Sequence, residues 1–243
     1  MKLDEINWDK AGYSEFVNYL GTLTDKKYKE FNNKITPESG CRIMGVRVPE
    51  LRRIAKEIAK GDGRGFLDYV TYEHTDELTQ EEIIITGLVV GALKLPFGEL
   101  CQRIRYFAPM VKNWACCDVA VSSFKGIKKY LEEFKIEIYR YLKSNNPWEQ
   151  RVGVIILLDY YLNDENNAAY ALDSINGVIS DEYYVNMAQA WLIATAFAKQ
   201  RDITKNFLEN DFALGNTVLK MTVRKLRDSY RVSEEDKEWA ATL

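Results

Sequence analysis

The stretch Gln80-Glu81-Glu82-Ile83-Ile84-Ile85-Thr86-Gly87-Leu88-Val89-Val90-Gly91-Ala92-Leu93-Lys94 decides the fold class. Its β-branched residues would suit a buried strand. Length argues otherwise, since strands rarely run so far. The ends argue otherwise too: Glu81 and Glu82 open the run and Lys94 closes it, the polarity that a helix dipole favours. The stretch therefore predicts a helix that is apolar nearly all round, and such a helix must be covered by neighbours.

Two more helices of this kind follow. Trp148 to Leu162, opened by Asn146-Pro147, carries Val152, Val154, Ile155, Ile156, Leu157 and Leu158. Tyr183 to Lys199 follows the cap Ser180-Asp181-Glu182. More ordinary helices fill the gaps. Val48 to Lys60 has Pro49 in its first turn, the stripe Leu51, Ile54, Ala55 and Ile58, and a stop at Gly61. Helical spacing also marks Trp8 to Leu20, Thr24 to Ile35, Gly63 to Tyr72, Pro96 to Ala108 and Trp114 to about Phe124. It continues from about Ile127 to Lys143, then Glu165 to Ile175, Ile203 to Glu209, Thr217 to Asp228 and Glu234 to Leu243. Thr36 to Gly40 reads as a loop. The main helices start near residues 80, 114, 147, 181 and 216, each step 33 to 35 residues with a second helix between. That is the rhythm of a solenoid of two-helix repeats. The expectation is one all-α domain over 1–243, with N-terminal helices in 1–75 and two-helix repeats in 79–243.

Composition narrows the function. Among 243 residues there are five Pro and fourteen Gly, too few for a chain of many turns. Four Cys and one His give no zinc spacing and no paired framework, so the thiols read as reduced and buried. No run is long enough to cross a membrane and the N-terminus has no apolar core, which predicts a cytoplasmic protein without a membrane partner. The net charge of −3 argues against a generic nucleic-acid binder. The charges are segregated, however. Lys34–Arg64 carries a net +4, Cys101–Lys143 +5 and Asn216–Arg231 +4, against −6 for Asp62–Glu82 and −5 for Asn163–Glu182. A fold could gather the basic segments into one stripe, as an anionic ligand requires.

The chemistry centres on Asn113-Trp114-Ala115-Cys116-Cys117-Asp118. Asn113 can cap the helix that follows, and Trp114 and Asp118, four residues apart, share one face. An indole beside a carboxylate suits a cationic, planar guest. On the pair alone, a core Trp and a salt-bridged Asp are the commoner explanation. Near the starts of the next main helices sit Arg151, then Tyr183 and Tyr184 with Trp191 two turns on, and Arg224, Lys225 and Arg227 lie on the last one. Arg151 is a cation at the edge of an apolar helix and needs a carboxylate, a phosphate or water.

These residues resemble the AlkD-like DNA alkylation-repair glycosylases. The likeness covers nearly the whole chain: Lys27-Tyr28-Lys29, Gly45-Val46-Arg47-Val48-Pro49-Glu50-Leu51-Arg52, Trp114 with Asp118, Trp148-Glu149-Gln150-Arg151, Tyr183 to Trp191, and the basic run from Arg224. The family's Trp and Asp four apart, Arg on the next inner helix and Trp on the one after fall on Trp114, Asp118, Arg151 and Trp191. The resemblance implies a right-handed α-α superhelix of HEAT-like repeats. It also implies a hydrolase, a DNA-alkylpurine N-glycosylase that releases N3- and N7-alkylated purines such as 3-methyladenine and 7-methylguanine from duplex DNA. By that likeness Trp114, Asp118 and Trp191 are catalytic, while Tyr28, Lys29, Arg47, Arg52, Arg151, Arg224, Lys225 and Arg227 bind DNA. It implies a monomer without metal or cofactor that acts at the nucleoid. The acidic net balance departs from a strongly basic repair domain. Two other uses of the same fold stand beside this one: a protein-binding scaffold, and a binder of DNA structure that performs no chemistry.

Overall fold

Gln80–Ala92 is a helix in the structure, a computed structural model that describes residues 1–36, 40–74 and 77–243. It is buried without a gap from Gln80 to Val90. All regular structure among the described residues is helical. The predicted loop Thr36–Gly40 falls largely outside those residues.

The chain divides into two compact units, 1–129 and 130–243. The first holds α1 (Lys10–Thr22), α2 (Lys26–Ile35), α3 (Val48–Lys60), α4 (Gly63–Asp68), α5 (Gln80–Ala92), α6 (Phe97–Phe107) and α7 (Trp114–Val121). Here α3 packs on α5 and α5 packs on α7, so α5 lies between two neighbours. The close approach depends on glycine. A Cβ at Gly87 would lie 2.4 Å from the Cβ of Ala120, and one at Gly91 would lie 2.2 Å from the Oγ of Ser123. Burying each of Ile83, Ile84, Ile85, Leu88, Val89 and Val90 contributes about 1.5–3 kcal/mol relative to exposure. Thr79 and Glu82 form a reciprocal cap at the start of α5, with Thr79 Oγ1 accepting from the Glu82 amide and Glu82 accepting from the Thr79 amide.

The second unit holds α8 (Leu131–Leu142), α9 (Pro147–Tyr160), α10 (Glu165–Asn176), α11 (Tyr183–Lys199), α12 (Arg201–Asn206), α13 (Asn216–Asp228) and α14 (Glu234–Ala240). The same arrangement recurs: α9 packs on α11 and α11 on α13, with α8 against α9 and α12 against α11. Asn146 caps α9 through the amide of Trp148, and Pro147 stands at its first position.

Several boundaries differ from the sequence expectation. α7 stops at Val121, short of Phe124, because the Ser122 and Ser123 hydroxyls donate to the carbonyls of Val119 and Ala120 and so satisfy its last turn. Lys125–Lys129 is a 3-10 turn, and α8 begins at Leu131 rather than near Ile127. α4 and α12 each end in a turn of π-helix, Tyr69–Glu73 and Phe207–Asp211. Glu182 is the cap residue of α11 without a side-chain bond to it; the Ser180 hydroxyl accepts instead from the Glu182 amide.

Candidate nucleic-acid interface

In the first unit, Asn113 adopts extended backbone and its side chain accepts from the amide of Cys116, which fixes the first turn of α7. Trp114 follows at once. Its indole N–H donates to the carbonyl of Ile35 at 3.1 Å, so the last residue of α2 sets the plane of the ring. Asp118 lies one turn on and Ser122 one turn further, all on one face. That face is the half-buried one. Ala115, Cys116, Cys117, Ala120 and Val121 are buried, while Trp114, Asp118 and Ser122 retain access to solvent. Arg52, half-buried on α3, donates from Nη2 to the Ser122 hydroxyl at 3.1 Å. The structure thus brings Arg52 to the face that carries Trp114 and Asp118. The two adjacent thiols point the other way. Burial pushes the Cys116 thiol well above its usual range, aided by its hydrogen bond with Cys41, so it offers no thiolate nucleophile.

A second group gathers at the start of α2. Asp25 caps the helix through the amide of Tyr28 and pairs with Arg47 at 2.7 Å. Together these bonds hold the Asp25 carboxyl below its usual range, with the Tyr28 amide the larger cause. The Arg47 guanidinium lies over the Tyr28 ring, 5.0 Å from its centre. Lys29 comes next to Gly45, whose φ of +99° only glycine adopts freely. Sequence reasoning missed what holds this loop. Glu81, 1 % exposed, accepts from three successive amides, those of Met44 (2.9 Å), Gly45 (2.7 Å) and Val46 (3.2 Å). Nothing in helical periodicity marks an acid in a first turn as a loop clamp. The only sequence signal is Gly45 itself, which announces a tight backbone.

In the second unit, Arg151 is 4 % exposed and donates from Nη1 to the Tyr184 carbonyl at 2.5 Å. Trp148, one turn before Arg151 on α9, packs obliquely on the Tyr184 ring at 5.2 Å. One residue of α11 therefore receives both the guanidinium and the indole. Tyr183 lies edge-on to Tyr184 and is exposed. Trp191, seven residues beyond Tyr184 and so on nearly the same face, is 39 % exposed. An indole left that open is not core filling.

The basic run on α13 does not lie on one face. Lys225 is half-buried, and its ammonium pKa is lowered by burial first and by the charge of Arg151 second, with Asp228 opposing. Arg224 and Arg227 lie on the other flank, since Arg227 stands about 160° around the helix from Lys225. They line a groove with the end of α14. The structure brings Lys225 to Arg151 and takes Arg224 and Arg227 elsewhere.

Among the described residues no helix is long and apolar enough to cross a membrane. A comparison with curated proteins gives no match. A family model described as DNA alkylation repair enzyme matches residues 18–231, a span that includes every site residue above, and the chain belongs to that family.

Proposed function

We propose that the protein is a DNA glycosylase that hydrolyses the N-glycosidic bond of N3- and N7-alkylated purines in duplex DNA. The observation that carries this reading is the half-buried, solvent-accessible face of α7, where an indole fixed by the Ile35 carbonyl stands one turn from the carboxylate of Asp118. Alkylation leaves the base cationic, hence a good leaving group that needs no general acid. As the bond breaks, positive charge builds on the deoxyribose. Asp118 stabilises that charge and positions the attacking water. Trp114 and Trp191 present π-faces to the sugar and backbone. Arg151 and Lys225 hold a flanking phosphate, and Tyr28, Lys29, Arg47 and Arg52 contact the backbone further along. Arg47 reaches a phosphate only by sharing its charge with Asp25. Arg224 and Arg227 add positive potential rather than direct contacts.

Single-turnover release of 7-methylguanine from a duplex with one defined lesion tests the reading. Asp118→Asn should slow release on the order of a hundredfold while leaving duplex affinity nearly unchanged. Trp191→Ala should lower rate and affinity together, because that contact is made in both states. No release by the parent protein would refute the enzyme and leave a DNA-structure binder. Release by Asp118→Asn at the parental rate would remove Asp118 from the chemistry.

A further inference from the structure

α11 is flanked on both sides, by α9 and by α13, whereas α13 meets α11 and the short α14. The buried side of α13 is Val218, Thr222 and Leu226. Away from it runs a groove of about 780 Å³ against the end of α14. Leu219, Val223 and Ala240 form its floor, and Lys220, Arg224 and Arg227 form its rim. One acidic side chain, Asp228, joins them; it stands 3.8 Å from Arg224, whose side chain is 86 % exposed. A pair that open spends little of the arginine's charge.

The pattern has a register. Leu219 and Val223 are four apart, as are Lys220 and Arg224, and Arg227 follows three later, so an apolar strip one turn long is edged by cations. We propose that this groove docks an acidic amphipathic helix of a partner protein. Such a helix sets apolar side chains at i, i+3, i+4 and i+7 on the floor and carboxylates against the rim. Charge complementarity selects acids, and the apolar floor selects a peptide over a duplex, whose phosphates would satisfy the rim but leave Leu219 and Val223 wet. The surface is separate from the Arg151–Lys225 pair, which lies on the opposite flank of α13.

The probe is a labelled peptide of about 16 residues, long enough to run the ~20 Å of α13, with Leu at helical spacing and Glu between. Fluorescence anisotropy on the full chain reads its binding beside three comparators: a scrambled peptide of the same composition, a Leu→Ser peptide that keeps every acid, and a short unmodified duplex. The expected result is binding of the amphipathic peptide at least about tenfold tighter than either altered peptide. The double variant Arg224→Glu/Arg227→Glu, both surface changes, should lose it by a similar factor, while Lys225→Ala should keep it and weaken the duplex instead. Equal binding of the scrambled peptide would reduce the effect to net charge and overturn the proposal. So would loss of duplex affinity in the double variant together with displacement of the peptide by duplex, which would make DNA the occupant. A parent protein that sediments as a dimer, and becomes monomeric in the double variant, would make the occupant a second copy.

Discussion

Glu81→Gln tests the clamp on the Gly45 loop. The carboxylate accepts from the amides of Gly45 and Val46 through one oxygen and from Met44 through the other. Glutamine keeps one oxygen and turns its NH2 toward the third donor. In its better orientation it retains Gly45 and Val46 and leaves the Met44 N–H facing another donor. That orphaned amide costs about 1–3 kcal/mol. The two remaining bonds lose the charge that makes them roughly twice as strong as neutral ones, about 1 kcal/mol more. The sum is about 2–4 kcal/mol. At about 2–4 °C per kcal/mol it lowers the melting transition by roughly 4–16 °C. The chain has two compact units, so the loss belongs to the transition of residues 1–129, and a melt with two steps should shift only one of them. Hydrogen exchange localises the effect, because the amides of Met44, Gly45 and Val46 should open faster than in the parent. Glu132→Gln is the control; its side chain is 73 % exposed and should cost less than about 0.5 kcal/mol. A Glu81→Gln variant within about 0.5 kcal/mol of the parent, with protection of residues 41–47 unchanged, would show that the carboxylate does not hold the loop.

Two further outcomes follow from the same geometry. Gly45→Ala places a Cβ at φ +99°, 2.7 Å from the Lys29 Cβ and 2.9 Å from the Asp25 carbonyl oxygen, and should destabilise by about 1–3 kcal/mol in a denaturant titration; a neutral result would mean that the loop relaxes freely. Lys225 should couple DNA binding to a proton: its pKa in the free protein is lowered by burial and by Arg151, a bound phosphate favours the ammonium and raises it again, so binding takes up a proton and weakens as pH rises through the free-protein pKa. Calorimetry in two buffers of different ionisation enthalpy reads that uptake, Lys225→Arg should abolish it, and binding heats that ignore the buffer in the parent would show that no phosphate approaches Lys225.

How far the sequence reached follows from what each signal encodes. Burial on all sides was legible in Gln80–Ala92 because a helix without a polar face has no alternative environment. The rhythm of starts also held, at 80, 114, 147, 183 and 216, and α3 at Val48 packs on α5 as α5 packs on α7. Ends were less legible. Whether α7 stops at Val121 or Phe124 turns on two serine hydroxyls reaching back to carbonyls, a competition that periodicity does not register. That Trp114 and Asp118 lie on one face was legible because spacing along one helix fixes which side chains stand together. The seat of Trp114 on Ile35, of Arg151 on Tyr184 and of Glu81 on three loop amides was not, since each joins elements 33 to 79 residues apart in sequence.

The basic run of α13 shows the same limit from the other side. Counting charge along the chain made Arg224, Lys225 and Arg227 one feature. A helix turns about 100° per residue, so neighbours in sequence cannot share a face. Lys225 is half-buried near Arg151, and burial first and that like charge second lower its affinity for a proton, whereas Arg224 stays open at the edge of an apolar floor. The net charge of −3 is then a poor guide to DNA affinity in either direction. What counts is the local field at each phosphate, and a half-buried Lys225 beside Arg151 supplies more of it than an exposed arginine screened by salt. On this reasoning Lys225→Ala should cost more duplex affinity than Arg224→Ala at physiological salt, although both remove one positive charge. Filter binding of one duplex over a salt series decides the matter. Equal losses at every ionic strength would show that the charges act only as a sum, and the split of α13 into two faces would then carry no consequence for DNA.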